Sequence, residues 1–181
     1  MTTRTKTKMT ELVRLLRKSD REAYVALVER FRPSDGEKDD DESGKESASL
    51  FDAAFEKVMG NGRVWVASAA HTSDEGEKLI GTVTVHVEQK FIHHFSRYAR
   101  VEDMFVLPEW RDMGVATALL ETAERYCSAQ NIRKVSLTCS DDLVGFYERR
   151  GFSTRQNDMS VCATKIKSAK ERQGTKRAED I

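Results

Sequence analysis

Residues 101 to 127, VEDMFVLPEWRDMGVATALLETAERYC, change period in the middle. An apolar run with strand character breaks at Pro108, and an amphipathic helix then begins near Gly114 with Val115, Leu119, Ala123 and Tyr126 on one face. A strand delivered into a helix through a glycine-containing loop demands a mixed α/β fold. It also exposes the first backbone N–H groups of the helix, which have no intrahelical acceptors and lie at the positive end of the dipole. Such a joint suits a phosphate or pyrophosphate. Gly114 lets the backbone come close, Ala116 keeps the wall low, and Arg111 can add a charge-assisted contact. A glycine before a helix can also be only a turn, and the joint alone leaves both readings open.

The neighbouring segments extend the α/β pattern. LVRLL (12 to 16) reads as a short strand, and SDRE (19 to 22) as a capping box in which Ser19 caps and Glu22 reaches back. A helix then runs to about Phe31, before Pro33. The like-charged block 34 to 47 has no apolar positions and reads as a solvated acidic insertion. ASLFDAAFEKVM (48 to 59) is helical in spacing and GNG stops it. Strands follow at 63 to 69, 79 to 89 and 100 to 106, with 90 to 99 as a connection. After the helix from 114 to 129 come a strand at 133 to 139, a helix at 141 to 150 stopped by Gly151, and a last strand region. One globular domain is expected over 11 to 163, with a flexible start at 1 to 10 and a polar tail at 164 to 181.

Composition excludes several functions. The chain of 181 residues carries 30 basic and 30 acidic side chains, so no net field favours nucleic acid, and no basic stripe interleaves with aromatics. Cys127, Cys139 and Cys162 lack CxxC spacing, which argues against a zinc site and a disulfide framework and suggests a reducing compartment. No apolar run approaches a signal h-region or a membrane span, so a cytoplasmic protein without metal or membrane partner is expected. The Walker lysine and the paired glycines of dinucleotide folds are absent.

Arg111-x-x-Gly114-x-Ala116 after VLP, followed by GFYERRGF (145 to 152), resembles the acetyl-CoA-binding core of the GNAT acyltransferase superfamily, and the element order agrees. The resemblance implies the GNAT fold, a central, mostly antiparallel mixed sheet flanked by helices. It also implies acetyl-CoA as co-substrate, held by Met104, Phe105 and Val106 along the pantetheine, by Arg111, Asp112, Met113, Gly114, Val115, Ala116 and Thr117 around the pyrophosphate, and by Phe146 and Tyr147. Within the superfamily, EQKFIHHFSRYARVEDMFV (88 to 106) is similar to the lysine-x-x-histidine stretch and E-D strand of the glucosamine 6-phosphate N-acetyltransferases. These make N-acetylglucosamine 6-phosphate on the route to UDP-N-acetylglucosamine, as intertwined homodimers whose sugar site borrows residues across the interface.

What this implies for single residues follows. Tyr147 would be the acid at the departing thiolate. Glu102 would relay the amine's proton, and Asp103 would help hold the sugar. Alternation in the strand points one of this acidic pair to the core and the other away. An ion pair of the strand's carboxylates with Arg100 or Lys90 is the alternative. Lys90, His93, Arg133 and Lys134 would meet the sugar phosphate. Thr138 stands where the family carries an aspartate near the amine, Leu143 where it has an asparagine, and Cys162 where it offers an arginine. Three readings remain: transfer to glucosamine 6-phosphate, transfer to another small amine, and a non-catalytic acetyl-CoA-binding module.

Overall fold

The computed structural model describes residues 12–31, 44–69 and 77–155. Strand β3, Lys78–Gln89, is buried on both faces along most of its length and organises the first of two units, Met1–Leu137. On one side it pairs antiparallel with β2, Gly62–Ala69, which pairs antiparallel with β1, Val13–Leu15. On the other side it pairs antiparallel with β4, Arg97–Val106, and β4 runs parallel to β5, Lys134–Leu137. The sheet order is therefore β1-β2-β3-β4-β5, mixed and mostly antiparallel, as expected. Gly62 opens β2 because a Cβ there would lie 1.9 Å from the Val85 carbonyl oxygen.

Directly paired residues share a face. On β3, the odd positions Val83 and Val85 belong to the face covered by helix α3, Val115–Ala129. There Leu119, Leu120 and Ala123 are fully buried, and Trp65 meets Tyr126 edge-on at 5.1 Å. The even face carries Thr82 and Thr84 beneath helices α1, Arg21–Phe31, and α2, Gly44–Asn61. Phe31 packs on Phe105 at 5.0 Å, and Tyr24 packs on Phe51 at 6.3 Å. Both helices were expected; α2 begins at Gly44, four residues before the expected start, inside the tract read as an insertion. Positions 34–43 lie outside the described residues.

Two local expectations need correction. The cap before α1 is not Ser19 with Glu22: Ser19 sits within a 3-10 turn, Lys18–Asp20, and the Asp20 carboxylate accepts from the Arg17 amide at 2.8 Å. Asp20 prevails because Arg14 fixes it with two bonds of 2.7 and 2.9 Å while also holding Glu77 at 2.6 Å, tying β1 to the edge of β3. Strand β4 starts at Arg97 instead of Arg100, since the ladder with β3 continues to Gln89↔Arg97 before the hairpin turns.

The second unit, Thr138–Ile181, holds helix α4, Asp141–Glu148, with Asp141 and Asp142 in its first turn, where the dipole favours them. Gly151, at φ 87°, ends it. The final strand expected after it falls largely at 156–163, outside the described residues.

Candidate active site

Strand β4 contains an irregularity that alternation could not reveal. Thr82 faces Phe105 and Thr84 faces Glu102, so Asp103 and Met104 share the single opposite position of Val83. Asp103 takes φ 49°, the left-handed conformation that a short polar residue tolerates best after glycine. The acidic pair therefore does not divide into one core-facing and one outward carboxylate. Asp103 is exposed at the bulge, and Glu102 is half-exposed on the α1/α2 face. Glu102 accepts from Arg100 Nε at 2.8 Å and lies 3.5 Å from His86 Nε2, so the ion pair with Arg100 is present.

Pairing of β4 with β5 runs from Tyr98↔Lys134 to Val101↔Leu137. Beyond Val101, β3 is the only strand neighbour of β4 among the described residues. The strand thus reaches Glu102, Asp103, Met104, Phe105 and Val106 with its β5 side released from the ladder. Such a rim is where a bulge can aim backbone amides at a ligand.

The bulge rests on a buried hydroxyl cluster. Thr82 and Thr84 flank it on β3 and are 1% and 2% exposed. Thr82 Oγ1 donates to the Trp65 carbonyl at 3.2 Å, and the Tyr24 hydroxyl hydrogen-bonds with both threonines. Burial pushes the Tyr24 phenol above its usual range; the Thr82 bond opposes this, the Asp103 charge adds to it, and the Thr84 bond again opposes. Tyr24 had no signal in the sequence beyond its place on the inner face of α1.

Past Val106 the chain makes a 3-10 turn, Pro108–Trp110, and reaches the joint. Gly114 has φ 85°, and nothing stands within 4 Å of where its Cβ would be. The glycine is thus required by backbone conformation and leaves an open space rather than a tight approach. Ala118 is the first amide of α3 bonded within the helix, to Gly114 O at 3.0 Å, so the amides of Val115 and Ala116 precede that ladder. Asp112 is also left-handed, at φ 59°, and Arg111, Asp112, Met113 and Gly114 are exposed. Arg111 Nε donates to the Val106 carbonyl at 3.4 Å. Helix-start amides that precede the ladder, and the exposed Arg111 ahead of them, supply the donors and positive charge that an anion calls for.

The basic residues expected near a phosphate are partly gathered. Lys90 Nζ and Lys134 Nζ each lie 5.9 Å from the centroid of the Tyr98 ring, and the His93 ring stacks on it at 6.2 Å and 18°. Arg133 is exposed and joins β4 by its backbone amide, which donates to Arg97 O at 2.9 Å. Tyr98 itself was not singled out in the sequence. Its signal was the period-two polar series Tyr98, Arg100, Glu102.

Between Lys90 and Arg97 the hairpin turns through three consecutive left-handed residues, His93, His94 and Phe95, at φ 53°, 57° and 57°. Bonds from Gln89 Nε2 to Lys90 O at 3.2 Å and to Phe95 O, from Ser96 Oγ to His93 O, and from Lys90 N to Ser96 O at 3.0 Å pin it. Phe91, Ile92 and Phe95 project from this tip 90%, 61% and 69% exposed.

In the second unit, Tyr147 is buried and meets Phe146 and Phe152 edge-on at 5.0 and 5.8 Å. Burial pushes its hydroxyl above the usual phenol range; the Cys139 thiol adds to the rise and Arg150 opposes it. Thr138 is exposed, and Leu143, where the family carries an asparagine, is 43% exposed. Cys162 lies outside the described residues. Among the described residues no group of acidic, histidine or cysteine side chains could hold a metal, and no helix is long and apolar enough to cross a membrane.

The acetyltransferase (GNAT) family model matches residues 21–152, the span that holds strands β2 to β5, the bulge in β4 and the glycine-started helix: the chain belongs to this family of acetyltransferases. Two curated relatives carry a more specific name. The glucosamine 6-phosphate N-acetyltransferase of Schizosaccharomyces pombe is 31% identical over 90 residues, 50% of this chain and 81% of the relative. That of Arabidopsis thaliana is 27% identical over 118 residues, 65% of this chain and 78% of the relative. The crystal structure of the Arabidopsis thaliana glucosamine-6-phosphate N-acetyltransferase shares the fold, with a TM-score of 0.68 at 24% identity, covering 83% of this chain and 97% of that one.

Proposed function

We propose that the protein transfers the acetyl group of acetyl-CoA to the amine of glucosamine 6-phosphate, forming N-acetylglucosamine 6-phosphate on the route to UDP-N-acetylglucosamine. The observation that carries the reading is the convergence of Lys90, His93 and Lys134 on Tyr98, on the sheet face that also presents Glu102. The names of the relatives support it.

In this reading the helix-start amides at Gly114 to Thr117, with Arg111, anchor the pyrophosphate, and the backbone of Met104 to Val106 runs along the pantetheine. Acetyl-CoA supplies an acyl group activated by its thiolate leaving group. An amide of Met104 or Phe105, aimed by the bulge, polarises the thioester carbonyl, which is worth most where water is excluded. The neutral amine attacks the carbonyl carbon, and its proton leaves through water to Glu102 while Asp103 holds the sugar. Collapse of the oxyanion breaks the carbon–sulfur bond. Tyr147, in the second unit, is the proposed donor to the departing thiolate; its raised phenol remains protonated at neutral pH. This role rests on the GFYERRGF resemblance.

We also propose a homodimer, for which the exposed Phe91, Ile92 and Phe95 offer apolar surface. Transfer to a different amine is the second reading, favoured by Thr138 and by the exposed Leu143. The deciding experiment mixes the protein with acetyl-CoA and a panel of amines, including phosphorylated and free glucosamine, and follows free thiol. Release with another amine and neither sugar would overturn the amino-sugar reading; coenzyme binding with no turnover would leave a binding module. Tyr147→Phe is expected to lower kcat roughly tenfold to a hundredfold with acetyl-CoA affinity retained.

A further inference from the structure

We propose that Tyr98 is a positioning residue for specificity, its ring being the platform that gathers Lys90, His93 and Lys134 into one site for the phosphomonoester of the acceptor. The inference rests on the amino-sugar phosphate reading above.

Tyr98 stands where three elements meet. It pairs directly with Glu88 on β3 and with Lys134 on β5, so its side chain shares a face with both. Two ammonium groups held near one another repel. Here each lies within 5.9 Å of the electron-rich ring, and Glu88 also binds Lys90. The ring and one carboxylate therefore hold the lysines close without neutralising both.

The third member is placed by a conformation that L-residues avoid. His93, His94 and Phe95 are all left-handed, and four hydrogen bonds from Gln89, Lys90 and Ser96 keep them so. A turn locked against its own preference brings the His93 imidazole near-parallel to the Tyr98 ring, its centroid 6.2 Å away. Two ammonium groups and an imidazole match a phosphomonoester dianion, which offers three acceptor oxygens and close to two charges. They match a neutral hydroxyl poorly. Arg133 is not part of the set at the ring.

The test uses the full chain with Tyr98→Leu, which removes the ring's quadrupole, and Tyr98→Phe, which retains it. Tyr98→Leu is expected to raise KM for glucosamine 6-phosphate about tenfold, while KM for unphosphorylated glucosamine and kcat for both stay within about twofold; Tyr98→Phe restores the parent KM. Equal rises for both sugars, or a Phe variant as impaired as the Leu variant, would overturn the inference. A second measurement needs no turnover: inorganic phosphate is titrated into each protein and followed by phosphorus NMR. Binding by the parent and the Phe variant, lost in the Leu variant, supports the platform even if neither sugar is acetylated, in which case only the amino-sugar reading falls. No binding by the parent, or equal binding by the Leu variant, overturns the platform even if the sugar phosphate is the substrate.

Discussion

The joint at Gly114 and the hairpin tip at His93 both use left-handed backbone, and they use it oppositely. At the joint the key position is a glycine at φ 85° in open space, where that conformation costs little. At the tip three residues with side chains adopt it in succession, held by bonds from Gln89, Lys90 and Ser96. The first arrangement opens the helix start proposed to anchor the coenzyme's pyrophosphate. The second delivers one imidazole to one ring. Left-handed residues with side chains run three in succession where discrimination between acceptors is proposed, whereas along the proposed coenzyme path they are single short aspartates, Asp103 and Asp112, that tolerate the conformation best after glycine.

Substitutions at the two sites should therefore fail in different ways. The largest effect is expected from Gly114→Val: a β-branched residue is disfavoured at that φ by about 2 kcal/mol, which drives the free joint out of the left-handed conformation, so that restoring it on binding should lower acetyl-CoA affinity by up to roughly thirtyfold with the acceptor KM nearly unchanged. Unaltered affinity in a binding titration would remove the joint as the anchor.

Next in size is an alkaline effect that belongs to the joint's helix and not to the hairpin tip. Burial, with the charge of Glu124, pushes the Cys127 thiol in α3 up to about 11. An unfolded chain ionises this thiol near its ordinary value of 9.0 while the folded one resists, so its contribution is complete below pH 9 and is lost as pH rises towards 11. The loss should amount to about 2 kcal/mol in denaturant midpoints, and Cys127→Ala should flatten that slope. An equal slope in the variant would assign it elsewhere. The smallest effect sharpens the contrast most: His93→Gly should relieve left-handed strain, leaving stability unchanged or raised by up to about 1 kcal/mol, while KM for the phosphorylated sugar rises severalfold. A clear loss of stability would mean that the turn is not strained.

The sequence carried the joint well because each part had its own local signal: Pro108 for the break, Gly114 for the left-handed start, and a clean helical face in Val115, Leu119 and Ala123. The hairpin was obscured for a physical reason. Tyr98, Arg100 and Glu102 alternate with Ala99 and Val101, but the polar series lies on a face where a buried strand normally places apolar residues, so the start of β4 read as a connection. The bulge had no glycine to mark it, since Asp103 takes that conformation itself. Tyr24 was hidden because its partners, Thr82 and Thr84, lie 58 and 60 positions further along the chain, and a hydroxyl cluster of that kind exists only once α1 lies on β3.

The bulge also acts as a parity switch. Ahead of it the even-numbered residues of β4, Tyr98, Arg100 and Glu102, look towards α1 and α2; after it the odd-numbered Phe105 does so and meets Phe31. One supernumerary residue lets a single strand obey two rules, polar display over its first half and helix packing over its second. Deleting either Asp103 or Met104 would remove the supernumerary residue and leave Glu102 facing Thr84 and Phe105 facing Thr82, so both halves would keep their register and their faces while the bulge itself, with its left-handed turn, would be lost.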